Sequence, residues 1–170
     1  VGVGDWKTRT DCSEGGGWSS VNSISVSEDG NYIVEGGNKR CVSLYHKDDS
    51  NPLWSYVVSG NVESVEFSKD GNYIVAGTSS RTYLFERTNS TPLWESYYSA
   101  DFVSITENGD YIVAAEENQK LVYLYNKNSS SPIRTYDTSE PNSGSVYSLA
   151  ISSNGEYIVV GTYPRVILYG

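Results

Sequence analysis

An all-β chain of repeated four-stranded sheets stacked around an axis, a β-propeller, is predicted by three observations. The segments starting at Tyr32, Tyr73, Tyr111 and Tyr157 read YIVEGG, YIVAGT, YIVAAE and YIVVGT. Each follows a turn signal: Asp29-Gly30, Asp70-Gly71, Asn108-Gly109 and Asn154-Gly155. Pro52, Pro92 and Pro132 recur with a period of 40 residues, longer than most solenoid units and free of helical patterning.

Four β-runs make up each unit. The first alternates polar and apolar residues: VNSISVS at 21–27, VESVEFS at 62–68, FVSIT at 102–106 and VYSLAIS at 146–152. Asp-Gly or Asn-Gly then supplies the positive φ values of a tight hairpin, so the first and second runs pair antiparallel. The second run is apolar on consecutive residues, as a strand covered on both faces requires. The third is SLYHK at 43–47, YLFER at 83–87, YLYNK at 123–127 and VILYG at 166–170, and the fourth starts at each of the three prolines. A single sheet cannot bury both of its faces, and radial stacking of copies buries them all.

The fourth unit stops after its third run, at Gly170. The opening residues VGVGDWKTRT supply the missing one, with Trp6 in the place that Trp54 and Trp94 hold in PLWSY and PLWES. The expected architecture is therefore four four-stranded blades in one domain, 1–170, at about 21–60, 61–99, 100–138, and 145–170 plus 1–10. Completing the last sheet with the first strand removes an open edge. Two closures satisfy this pattern: one chain closing on itself, or two chains exchanging N-terminal strands in an eight-bladed ring. Donation to a third molecule extends it to a filament.

Composition narrows the function. Tyrosine numbers 15 among 170 residues, and the net charge is −9 with a pI of about 4.5. Such acidity opposes tracking of a phosphate backbone, which needs Lys and Arg to displace counterions, and opposes anionic membrane surfaces. No apolar run reaches the roughly 20 residues that span a bilayer. The chain begins at Val1 and lacks methionine, which reads as processing from a larger precursor.

The run VESVEFSKDGNYIVAGTSSRTYLFE resembles the tryptophan–aspartate (WD) repeat, and YLFERTNSTPLW is similar to the tryptophan-docking repeat of pyrroloquinoline-quinone-type propellers. The combination resembles propeller repeats of archaeal surface and secreted proteins. The WD dipeptide itself is replaced by Tyr45-His46, Phe85-Glu86, Tyr125-Asn126 and Tyr169-Gly170, and the Gly-His pair before the first strand is missing. The resemblance implies a propeller and a general scaffold role; it carries over no cofactor site and no reaction.

No catalytic, metal or cofactor-binding set emerges from the residues. His46 is the only histidine and has no carboxylate or cysteine partner in its motif, so it reads as a strand-end polar residue. Asp29, Asp70, Asn108 and Asn154 lie on separate blades and cannot converge on a calcium ion, which needs six to eight oxygens; they read as turn formers. Trp54, Trp94 and Trp6 read as packing between blades, and Arg134 marks a more exposed edge in the third. Trp18 falls outside the repeat, either touching a partner or plugging one end of the channel. The axis-lining runs offer Ser23, Ser25, Glu63, Ser64, Glu66, Ser104 and Ser148, with Asp101 the sole acid across the axis from Glu63 and Glu66.

Cys12 and Cys41 belong to connections that open on one face of the first blade. A disulfide between them would lock the closing strand, adding on the order of 3 kcal/mol in the chain-entropy account. The sequons at Asn89 and Asn128 lie in turns on the opposite face. Arg40, Arg81, Lys120 and Arg165 each precede a third run and form either a solubilising ring or a site for an anionic group or acidic partner. Two long connections on that face, 10–20 and 139–144, mark it for recognition.

The expected function is a non-enzymatic extracellular or cell-surface module that binds a protein partner or assembles with itself. The rivals are a propeller enzyme acting on glycans or using a quinone, and a cytosolic WD-repeat-like scaffold.

Overall fold

The computed structural model describes residues 20–139 and 144–170, and these form 15 β-strands in four antiparallel sheets. The first sheet comprises β1 (Val21–Val26), β2 (Tyr32–Gly37), β3 (Cys41–His46) and β4 (Pro52–Val57). The second comprises β5 (Val62–Phe67), β6 (Tyr73–Thr78), β7 (Thr82–Glu86) and β8 (Trp94–Ser96). The third comprises β9 (Phe102–Ile105), β10 (Tyr111–Ala115), β11 (Leu121–Asn126) and β12 (Arg134–Asp137). The fourth has β13 (Val146–Ile151), β14 (Ile158–Thr162) and β15 (Val166–Tyr169). Strands follow chain order within every sheet. The architecture is all-β and propeller-like.

Each first hairpin closes as its sequence demands. Gly30, Gly71, Gly109 and Gly155 take φ values of 69–75°, a region open to glycine without cost. The preceding acid or amide locks the turn: Asp29 Oδ1 accepts from Ser27 Oγ at 2.6 Å and from Asn31 N–H at 3.0 Å, and Asp70 repeats both contacts with Ser68 and Asn72. Asn154 does the same with Ser152 and Glu156. The turn reading of these residues is what the hydrogen bonds report.

The fourth strands are shorter than their prolines announced. β4 begins at Pro52, but β8 begins at Trp94 and β12 at Arg134. Proline cannot donate to the ladder, and there the first bonds come from Leu93 N–H to the Leu84 carbonyl and Ile133 N–H to that of Leu124. The strand expected from residues 1–10 lies outside the described residues.

The core is divided among three junctions between sheets. β1 lies against β5, β5 against β9, and β9 against β13. Val34, Leu44, Trp54 and Tyr56 of the first sheet pack on Val65, Phe67, Ile74 and Phe85 of the second. Val75, Leu84 and Trp94 of the second pack on Val103, Ile112, Tyr123 and Tyr125 of the third, whose Val113, Val122 and Tyr136 meet Ile158 and Val160 of the fourth.

Polar links recur at the same places. Val65 and Phe67 N–H groups donate to Ser23 and Ser25 Oγ, and Ile151 N–H donates to Ser104 Oγ. The axial serines thus tie β1 to β5 and β9 to β13, while between β5 and β9 the Glu66 carboxyl accepts from Ser104 Oγ. At the outer side, Trp54 Nε1 donates to the Arg87 carbonyl at 2.7 Å and Trp94 Nε1 to that of Lys127 at 2.8 Å. Their rings stack on Phe85 and Tyr125 with centroids 5.6 and 5.3 Å apart. Arg134, in the equivalent place, instead lies over Tyr136 of its own strand at 4.7 Å.

Candidate functional site: the loop face

The loops joining second to third strands and fourth to first strands lie at one end of the sheets. The four basic residues sit there, and turn geometry places them. Arg40 and Lys120 both have φ of 57°, the left-handed conformation that ends a tight turn. Their carbonyls accept the N–H of Val58 and Thr138 at 2.8 Å. Arg81 and Arg165 carbonyls accept from Thr78 and Thr162 at the same distance.

Their side chains differ. Arg81 pairs through Nη1 with Glu95 Oε1 at 2.8 Å and lies 4.6 Å over the Tyr97 ring. Arg40 and Arg165 are exposed, and Lys120 is half-buried. The four cations share a face without forming one anion cradle of equal members.

The aromatic residues of this face carried little signal in the sequence. Tyr97 is 83% exposed and Tyr163 70%. Tyr98 stacks on Tyr123 with centroids 4.3 Å apart. Ser99 Oγ donates to Glu116 Oε2 at 2.6 Å, and Glu117 N–H donates to Asp101 Oδ2 at 2.7 Å. The clue was the doubled tyrosine of WESYYS, where the first unit has WSYVVS.

Near the axis, burial and the neighbouring Asp101 raise the Glu63 carboxyl, which Asn22 Nδ2 holds at 3.4 Å. Glu66 is pushed up to about 7, chiefly by burial and against hydrogen bonds from Ser104 Oγ and Ile105 N–H. It lines a cavity of about 320 Å³ with Ser25, Ile105 and Ile151 and the exposed Glu28, Lys69 and Glu107. The shape is that of a half-buried carboxyl held by an adjacent strand. Among the described residues, no group of three or more His, Cys, Asp or Glu side chains is placed to hold a metal ion.

The other marked residues fall as follows. Cys41 is buried at the start of β3, its Sγ 3.3 Å from Ser43 Oγ; Cys12 and Trp18 lie outside the described residues, as do 10–19 and 140–143 of the two long connections. Asn89 and Asn128 are exposed, in turns at the end opposite the loop face. His46 ends β3, with its ring edge-on to Tyr32 at 5.5 Å and Nδ1 3.5 Å from Asp48. No helix is long and apolar enough to cross a membrane among the described residues.

A family model described as WD domain, G-beta repeat, matches residues 50–85 and 130–167. Both matches run from a fourth strand through the first three strands of the following sheet, so they share one frame. No curated protein matches the chain. These two segments are similar to WD repeats, and the four-sheet all-β architecture agrees with that likeness.

Proposed function

We propose that this chain is a non-enzymatic protein-interaction module whose loop face receives a protein partner. The observation that carries the reading is the pairing of WD-type repeats at 50–85 and 130–167 with exposed Tyr97 and Tyr163 on the loop face that also carries Arg40, Arg81 and Arg165. Tyrosine and arginine are enriched where partners bind. Repeated sheets hold such loops in fixed positions, as recognition requires.

Residues 1–10 act as the fourth strand beside β15, completing a set of four blades. Cys12 and Cys41 pair to hold that strand. The module works outside the cell, where Asn89 and Asn128 accept glycans. An intact-mass measurement with and without reductant reads both features: two free thiols and unmodified asparagines would relocate the module to the cytosol.

Cross-linking in the source cells tests the interaction itself. A partner captured by the native chain should be lost with Tyr97→Ala and Arg165→Glu combined, and kept with Asn89→Gln and Asn128→Gln. A partner indifferent to the first pair, or turnover of a glycan or quinone panel, removes the proposal.

A further inference from the structure

Glu66 departs from a rule that the other axial residues keep. Ser25 of β1 accepts the Phe67 N–H of β5, and Ser104 of β9 accepts the Ile151 N–H of β13. Glu66 holds their place in the repeat, as VESVEF set against VNSISV shows. It performs their task too, accepting the Ile105 N–H of β9. A serine hydroxyl therefore suffices for this link between sheets. The second sheet instead places a carboxyl there, half-buried, which burial pushes up to about 7. An ionised carboxyl held away from water destabilises a fold unless a cation meets it.

The carboxyl faces the cavity of about 320 Å³, against the apolar walls of Ile105 and Ile151. The cavity opens among the first-hairpin turns, at the end of the sheets opposite the loop face. Its rim is tied: Asp70 N–H donates to the Glu107 carbonyl at 2.9 Å, and Glu107 N–H to that of Ser153 at 3.2 Å. Three turns thereby keep their spacing around the mouth. Glu28 and Glu107 stand exposed there, from the first and third sheets. Lys69 of the second is exposed beside them and, among the described residues, pairs with none of the three carboxyls. The fourth sheet adds Ile151 and Ser153 and no charge. With Glu66 ionised, three carboxylates outweigh one ammonium.

We propose that this cavity binds an alkylammonium group, whose charge meets the Glu66 carboxylate and whose carbons lie on Ile105 and Ile151. A perturbed carboxyl in a walled cavity is where a ligand is expected, and the repeat shows that stacking the sheets does not require it. Glu66 Oε1 already accepts from Ser104 Oγ, which favours a point charge over a planar guanidinium that seeks both oxygens. A free primary amine and a lysine side chain of a partner share this chemistry. The site stands whether or not a partner occupies the loop face.

A titration of the isotope-labelled 170-residue chain with n-butylammonium chloride, at constant ionic strength, tests the site. The Ile105 amide resonance should shift saturably at pH 8, with a Kd of about 1 mM for so small a ligand. The amine meets only the ionised carboxyl, so the apparent Kd should be about tenfold higher at pH 6. Butanol, which has the shape without the charge, should leave the resonance in place. Glu66→Ser, which installs the residue of the first and third sheets, should keep the fold and lose the binding. Should that variant unfold, Glu66→Gln makes the same comparison. Nα-acetyl-lysine amide that binds as tightly as butylammonium identifies a partner's lysine as the source, and its exclusion while butylammonium binds identifies a free amine.

Equal affinity at pH 6 and pH 8 overturns the proposal, as does binding that survives Glu66→Ser or the absence of a saturable shift. Lys69→Ala should keep or tighten the binding. Binding seen with that variant alone would mean that Lys69 already fills the cavity, and the proposal falls.

Discussion

Glu66 shows how one side chain can set a pH dependence. Burial favours its neutral form, so its folded pKa of about 7 stands above the ordinary 4.5. The fold therefore binds that proton more tightly than the unfolded chain does. This contribution is complete below about pH 4.5 and is lost as pH rises through about 7, so stability falls across that window. An isolated group with this displacement is worth about 3 kcal/mol. Glu66→Gln keeps an acceptor for Ser104 Oγ and Ile105 N–H and removes the charge. It should add about 2 kcal/mol near pH 8 and nothing near pH 4.5, as read by urea titration at both values. Equal effects at both would show that the carboxyl is already ionised in the folded chain.

Trp94 is the second instructive residue. Its indole N–H reaches the Lys127 carbonyl at 2.8 Å while its ring stacks on Tyr125. Trp94→Phe keeps the stacking surface and removes the bond, leaving the carbonyl half-buried and unpaired. The cost should be about 1–2 kcal/mol in a denaturant midpoint, and an unchanged midpoint would show that water replaces the indole. Both residues were visible in the sequence as members of a repeat. Their partners, one strand or one sheet away, were not.

At the scale of the strand, the second run of each unit was legible because its apolar residues are consecutive. Tyr32, Tyr73, Tyr111 and Tyr157 each stand at or next to the start of a second strand, and the hairpin glycines take the φ that Asp-Gly and Asn-Gly promised. The fourth strands were less legible, since proline marks where a strand can begin but not where its ladder starts. Close approach between sheets was not legible. Gly77 reads as an ordinary strand glycine, yet an added Cβ would lie 2.6 Å from the Ala100 carbonyl oxygen and 2.8 Å from Val103 Cγ1. Gly77→Ala should push β9 away and cost about 1–3 kcal/mol, measured by thermal unfolding. A neutral result would mean that the second and third sheets slide without penalty. Ala115 holds the matching place in the third sheet and is fully buried, so at that junction a methyl is accommodated.

At the scale of the molecule, each sheet depends on the next. Tyr125 is fully buried, Phe85 likewise, and both owe this to a neighbouring sheet rather than their own. Stability in such stacks is a sum of units and junctions. On the proposed completion of the fourth sheet by residues 1–10, removing them should lower Tm, which a thermal scan of the shortened chain checks. An unchanged Tm would remove that completion.

The order of residues along this chain specifies its strands, its hairpins and its period, because those depend on local φ preferences and on which faces are apolar. The same local chemistry placed Arg40, Arg81, Lys120 and Arg165 at one end of the sheets. Only the folded arrangement decides that Arg81 is held by Glu95 and Tyr97, that the axial serines bind the neighbouring strand, and that Val159 and Leu168 stay in water while Val75 and Leu84 do not. Those outcomes depend on what stands across a gap of several ångströms, contributed by residues about 40 positions away in the chain, a distance over which the periodicity of a sequence says that something repeats but not what it touches.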